Sequence, residues 1–164
     1  MARPRRIPDY PYTGVQRYFL TFCTEDRAAH FTTHAMVDPV VERILQTAAE
    51  ERFVIIVYMM MPDHAHMLVD GESDGSDLLA FMKLTKRRSG YWFKQSHGQR
   101  LWQKGYYEHV VRNEERTEDI VWYILENPLR KSLVTDVMQY PFWGSSLYTR
   151  DELLRSIGLK ARRT

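Results

Sequence analysis

Cysteine is almost absent. Cys23 is the only one in 164 residues. That excludes an internal disulfide and a four-cysteine zinc site, and it points to a reducing, cytoplasmic setting. No uninterrupted apolar run approaches the roughly 18 residues that a membrane span requires, so no membrane association is expected. The opening residues, MARPRRIPDYPY, are basic with no apolar stretch behind them, and do not read as a secretory signal. A glycine-rich phosphate loop is missing, which argues against ATP hydrolysis and against a nucleotide cofactor. Repeats, low-complexity tracts and an interdomain linker are also missing. Residues 1–164 therefore read as one domain, with an extended basic arm over 1–14 and a basic tail over 150–164. The chain is too short for a (β/α)8 barrel, which takes roughly 250 residues.

What is present is a normal globular balance, 44% hydrophobic and 27% charged, with an unusual 13% of aromatic residues and a net charge of only +2. Arg17 to Thr24 is aromatic and β-branched, a strand signal. Val40, Val41, Ile44, Leu45 and Ala48 fall at helical spacing, with Asp38 as expected N-cap and Pro39 at the first helical position. Phe53 to Met60 is a continuous apolar run, as expected of a strand covered on both faces. Met61-Pro62-Asp63 reads as a tight turn, and His64 to Val69 as the returning strand of a hairpin. Ser76 is the expected cap of a helix through Leu78, Phe81, Met82 and Thr85. Tyr107 to Arg112 follows as a strand, then a helix capped by Thr117 with Glu118 and Asp119 at its positive end. Pro128 ends or kinks that helix, and a last helix is expected from Arg150 to Ile157. The first six elements spell βαββαβ. The expected fold is α+β and ferredoxin-like: an antiparallel sheet with helices on one face, followed by a helix that bears Tyr123.

Three groups of residues carry chemistry. His64 and His66 alternate on one strand, so both imidazoles project from the same face. Two convergent imidazoles suit a divalent metal; two ordinary hydrogen-bonded histidines are the plainer reading. Tyr123 and Asn127 stand at i and i+4 on one helix face. A tyrosine can act as a nucleophile, and an asparagine oxygen can complete a hard-metal shell; packing and a helix end are the plainer readings. The third group is an interval of 30 residues, Leu78 to Tyr107, without a single Asp or Glu. It holds Lys83, Lys86, Arg87, Arg88, Lys94, Arg100 and Lys104, interleaved with Tyr91, Trp92, Phe93, Trp102, Tyr106 and Tyr107. Local cations attract phosphates, and aromatic faces beside them stack on unpaired bases. Some of these aromatics must be core, Trp92 or Phe93 first among them. Met59, Met60 and Met61 read as core filler, Cys23 as a buried strand residue, and His30 and His34 as solvated loop residues.

Together these segments resemble a known family. Met61 to Val69 looks like the histidine–hydrophobic–histidine signature of the HUH single-strand endonucleases, and Tyr123 to Arg130 looks like their single-tyrosine helix. Trp102 to His109 and Tyr140 to Ser146 are similar to segments of the REP-associated tyrosine transposases, relatives of insertion-sequence transposases. The resemblance implies Mg²⁺ or Mn²⁺ held by His64, His66 and Asn127, and Tyr123 as the nucleophile. It implies cleavage of single-stranded DNA beside a hairpin through a 5′-phosphotyrosine intermediate. Arg5, Arg6, Lys83, Lys86, Arg87, Arg88 and Arg112 are then the expected DNA contacts, with Trp102 as a stacking residue. Members of the family work as monomers or homodimers, and some supply the tyrosine from a partner subunit. Two other readings stand beside this one: a noncatalytic nucleic-acid-binding module on the same fold, and a metal phosphodiesterase that uses water and leaves Tyr123 as packing.

Overall fold

A computed structural model describes residues 6–158. Strand β1 (Arg17–Cys23) leads through a short 3₁₀ turn to helix α1 (His34–Glu50). Strands β2 (Phe53–Met61) and β3 (His64–Gly71) follow as a hairpin, then helix α2 (Leu78–His97) and strand β4 (Tyr107–Val110). Helix α3 (Thr117–Leu125) passes almost directly into α4 (Asn127–Arg130), and the chain closes with a short strand β5 (Trp143–Gly144) and helix α5 (Arg150–Ser156). The five strands form one antiparallel sheet in the order β4-β1-β3-β2-β5. Its first four strands have the ferredoxin-like arrangement.

Alternation along the strands decides which side chains meet which helices. Tyr18, Leu20 and Phe22 of β1 are buried on one face. There Phe53 of β2 stacks on Phe81 of α2, with ring centroids 4.8 Å apart. Each such fully buried aromatic contributes about 1.5–3 kcal/mol relative to exposure. The other face presents Phe19 and Thr21, which pair across the ladder with Leu68 and His66. Helix α3 packs on this second face against β2 and β3. Both faces of β2 and β3 are thereby covered, which explains the continuous apolar runs. Met59, Met60 and Met61 are buried core residues.

Several boundaries differ from the sequence reading. Helix α1 begins at His34 with Thr33 as N-cap, so Pro39 lies inside it. His34 and Ala35 at its start are exposed, while Val37 of the same turn is buried in register with Val40 and Val41. The cap of α2 is Asp77, whose carboxylate accepts from the Ala80 amide at 3.1 Å. Ser76 instead holds the preceding loop, accepting from Glu72 and Ser73 and donating to the Arg52 carbonyl. Gly98 ends α2 in the left-handed conformation at φ 69°, with its amide on the Lys94 carbonyl. Thr117 is the first residue of α3, not its cap, and its hydroxyl accepts from the Arg17 guanidinium. Strand β4 stops at Val110 because its partner β1 begins at Arg17, and Tyr18 opposite Val110 is the last paired residue. Helix α5 ends at Ser156 behind a capping box of Thr149 and Glu152. Cys23 is half-buried at the end of β1, where Arg27 donates to its sulfur.

Residues 140–146 close the free edge of β2. Met60 donates its amide to the Phe142 carbonyl and Ile55 donates to Ser146 Oγ. The Tyr140 hydroxyl donates to the Met60 carbonyl at 2.6 Å. An otherwise open sheet edge is thus covered. At the opposite end, the described part of the arm is packed rather than free: Tyr12 is buried against Tyr18, and Thr13 bridges to Asp77. Arg5 and the basic residues Lys160, Arg162 and Arg163 of the tail lie outside the described residues.

Candidate active site and nucleic-acid interface

The Pro62-Asp63 turn lifts the chain directly into β3, so His64 and His66 enter the sheet face that α3 covers. Cys23 and Thr21 stand opposite them in β1, and Met61 and Met59 opposite them in β2. The two imidazoles are buried, and their ring centroids lie 4.8 Å apart. Each uses its Nδ1 within the protein. His64 Nδ1 meets Asp63 Oδ1 at 2.7 Å, and His66 Nδ1 meets Thr21 Oγ1 at 2.8 Å. Arg27 Nε donates to the second Asp63 oxygen at 2.9 Å. Such partners fix ring orientation and leave Nε2 as the outward donor atom.

Burial sets the protonation of the pair. Desolvation pushes His66 down to about 3, with the neighbouring His64 acting in the same direction. Desolvation also lowers His64, outweighing the hydrogen bond to Asp63 that would raise it. Burial raises the Asp63 carboxyl, but its bonds to His64 and Arg27 outweigh that and hold it below the usual range. Both imidazoles are therefore neutral near pH 7, as ligation requires.

Helix α3 brings its tyrosine to the same place. Phe19 stacks on His66 at 5.6 Å and meets the Tyr123 ring edge-on at 5.9 Å. Tyr123 is 49% exposed, and its ring lies 6.3 Å from that of His66. Asn127 is buried and within hydrogen-bonding reach of His66. Its amide nitrogen donates to the Tyr123 and Ile124 carbonyls. Among the described residues no three of His, Cys, Asp and Glu cluster so as to hold a metal. The donor set is two neutral imidazoles and one amide oxygen. That set fits a divalent ion which keeps several waters. His109 shares this face of the sheet, but its Nε2 is taken by Glu115 at 2.9 Å.

The acid-free interval divides. Arg6, Lys83, Arg87, Lys94 and Arg100 line a groove between α2 and residues 101–106, with Tyr91 and Tyr106 among them and no carboxylate among its described lining residues; from outside the groove Glu108 pairs with Arg6 at 3.5 Å and Glu25 with Arg100 at 3.9 Å. Tyr91 is 68% exposed. Of the expected contacts Trp102, Arg88, Lys86 and Arg112, burial corrects the first, and the other three have partners or places of their own. Trp102 is buried against Phe22 and Phe31, with its indole N–H on Ser89, so it is a core residue and not a stacking surface. Arg88 turns to α1, where Glu50 holds it at 2.6 Å. Lys86 spends its amine on the Gln103 and Gly105 carbonyls, tying the loop to the helix. Arg112 is exposed but lies outside the groove, among Glu114 and Glu115. Phe93 is the core member of the Trp92–Phe93 pair, and half-buried His30 packs on it. His34 is exposed and pairs with Asp38.

Sequence reasoning missed Asp63, Arg27 and Thr21 as supports of the histidines, and Phe19 and Arg130 as neighbours of the tyrosine. Asp63 was visible as the residue before His64. Arg130 lies only seven residues beyond Tyr123, whereas Arg27, Thr21 and Phe19 come from distant elements and give no local signal.

The ferredoxin-like sheet thus carries two histidines on its third strand, with a tyrosine helix across that face. The family model described as "Transposase IS200 like" matches residues 14–127, a span that includes His64, His66, Tyr123 and Asn127. The chain belongs to that family. It is 23% identical over 141 residues to a Haemophilus influenzae protein provisionally named REP-associated tyrosine transposase, covering 76% of this chain and 77% of that protein. It is 26% identical over 109 residues to the REP-associated tyrosine transposase of Escherichia coli, covering 66% of this chain and 62% of the relative. A solved REP-associated tyrosine transposase bound to a REP hairpin has the same fold. Its TM-score is 0.69 at 24% identity, over 87% of this chain and 82% of that one. Among the described residues no helix is long and apolar enough to cross a membrane.

Proposed function

We propose that this chain is a metal-dependent endonuclease and transesterase for single-stranded DNA, acting beside a hairpin of the kind its solved relative carries. One observation carries the reading: His64, His66, Asn127 and Tyr123 meet on one sheet face of a single chain. His64, His66 and Asn127 would hold Mg²⁺ or Mn²⁺, which when bound polarises a phosphate oxygen and stabilises the charge that builds during displacement. Tyr123 Oη attacks the phosphorus, the bond to the 3′ oxygen breaks, the phenol proton leaves to solvent, and the departing 3′ oxygen takes up a proton from solvent. The products are a 5′-phosphotyrosyl protein and a free 3′-hydroxyl. The phosphodiester bond energy is conserved, so a 3′-hydroxyl reverses the step on another strand without ATP. All four side chains come from one chain, which favours action in cis by a monomer. Arg6, Lys83, Arg87, Lys94 and Arg100 would hold DNA in the groove beside α2. A DNA substrate and the lone cysteine support a cytoplasmic setting.

The test is incubation with hairpin-bearing single-stranded DNA and Mn²⁺, followed by a denaturing gel. A covalent protein–DNA adduct that disappears in Tyr123→Phe is expected. Cleavage without adduct that survives Tyr123→Phe would replace this reading with a water mechanism. Binding without cleavage under any metal would reduce the chain to a nucleic-acid-binding module.

A further inference from the structure

We propose that Arg130 is the positioning residue of Tyr123, clamping the phenol ring in the one orientation that faces the histidine pair. Its consequence for catalysis rests on the transesterase reading above. Arg130 Cζ lies 4.4 Å from the centroid of the Tyr123 ring. Its Nη2 donates to the Tyr123 carbonyl at 3.0 Å, and its Nη1 donates to Glu126 Oε2 at 3.1 Å. The guanidinium is therefore fixed twice before it stacks.

A tyrosine that is half exposed on a helix has more than one open rotamer. Here Phe19 meets the ring edge-on at 85°, and Arg130 lies over it. Seven residues of helix rise about 10 Å, a span that only a long side chain leaning toward the helix N-terminus covers. Pairing with Glu126 alone would account for an i, i+4 ion pair, but not for the bond to the Tyr123 carbonyl or for the stack. A lysine at this place would keep the charge and lose the planar fork that makes two bonds and a stacked face together.

The experiment places meta-fluorotyrosine at position 123 alone in the full chain and reads its fluorine resonance. In parallel, adduct formation is timed on hairpin-bearing DNA with Mn²⁺. With Arg130 intact, the resonance is expected to be sharp and displaced from its denatured position. In Arg130→Ala it moves toward the denatured position, and Arg130→Lys falls between. Adduct formation in Arg130→Ala slows by about 10- to 100-fold, the scale of a misplaced reacting group, while DNA affinity and melting temperature hold. Arg130→Lys recovers part of that rate. An unchanged resonance in Arg130→Ala overturns the proposal. A loss of DNA affinity that accounts for the whole rate change does so too, because it makes Arg130 a phosphate contact instead. If even the wild-type chain forms no adduct, the transesterase reading fails, and the fluorine resonance still decides the clamp.

Discussion

His66 lies inside the sheet face with its imidazole neutral, and that has a consequence for stability. Its value is about 3 in the fold against an ordinary 6.5. As pH falls below 6.5 the unfolded chain takes up a proton that the folded chain refuses. Stability therefore drops across the window from 6.5 to about 3, with a slope of at most about 1.4 kcal/mol per pH unit from this group. Urea unfolding at pH 7 and pH 5 is expected to show that loss, and His66→Gln to reduce it. The carboxylate behind His64 has a different role. Asp63 fixes the ring and is itself held by Arg27. Asp63→Asn is expected to weaken Mn²⁺ binding by about 10- to 100-fold, the usual cost of losing such a partner. Calorimetric titration with Mn²⁺ measures it directly, and unchanged affinity would remove Asp63 from the site.

At the scale of elements, α2 and the loop after it behave as one locked unit. Trp102 inserts between Phe22 and Phe31 and bonds Ser89, while Lys86 ties the same loop back to the helix. Trp102→Ala is expected to cost about 3–5 kcal/mol in denaturant unfolding, as for other large core truncations. Its DNA affinity under native conditions is expected to change little. A stable variant that binds DNA poorly would restore the stacking role suggested by its basic neighbours. Sequence could not separate the two roles, because a tryptophan among cations reads alike whether it faces inward or outward. The strands were more legible. Phe53 to Met61 is apolar without alternation because α1 and α2 cover one face and α3 the other. Helix α1 was misread by a turn because Asp38-Pro39 resembles a helix start, although Val37 already lies at helical spacing from Val40 and Val41 and is buried.

For the whole molecule, the modest net charge conceals a groove lined by cations beside α2. The groove lies beside α2 on one side, and the histidine–tyrosine site lies under α3 on the other. Replacing Lys83, Arg87 and Lys94 together with Ala is expected to lower single-stranded DNA affinity. It should also reduce the slope of log affinity against log salt by about 0.7 for each phosphate that is no longer neutralised. Arg88→Ala, facing Glu50, is expected to leave that slope alone. Equal slopes in all variants would move the DNA surface elsewhere.

The sequence by itself determined the order of the first seven elements, the shared face of His64 and His66, and the i, i+4 placement of Tyr123 and Asn127, which the structure divides between α3 and α4. Those relations follow from backbone period alone, two residues per repeat in a strand and 3.6 in a helix. Only the tertiary structure decided that α3 crosses the sheet at the histidines. The same holds for Phe19 closing on the tyrosine, Thr21 taking the Nδ1 atom of His66, and Arg88 and Trp102 turning inward. Each of these joins residues from different elements, and what holds them there is the burial of a shared apolar face, which no local pattern encodes.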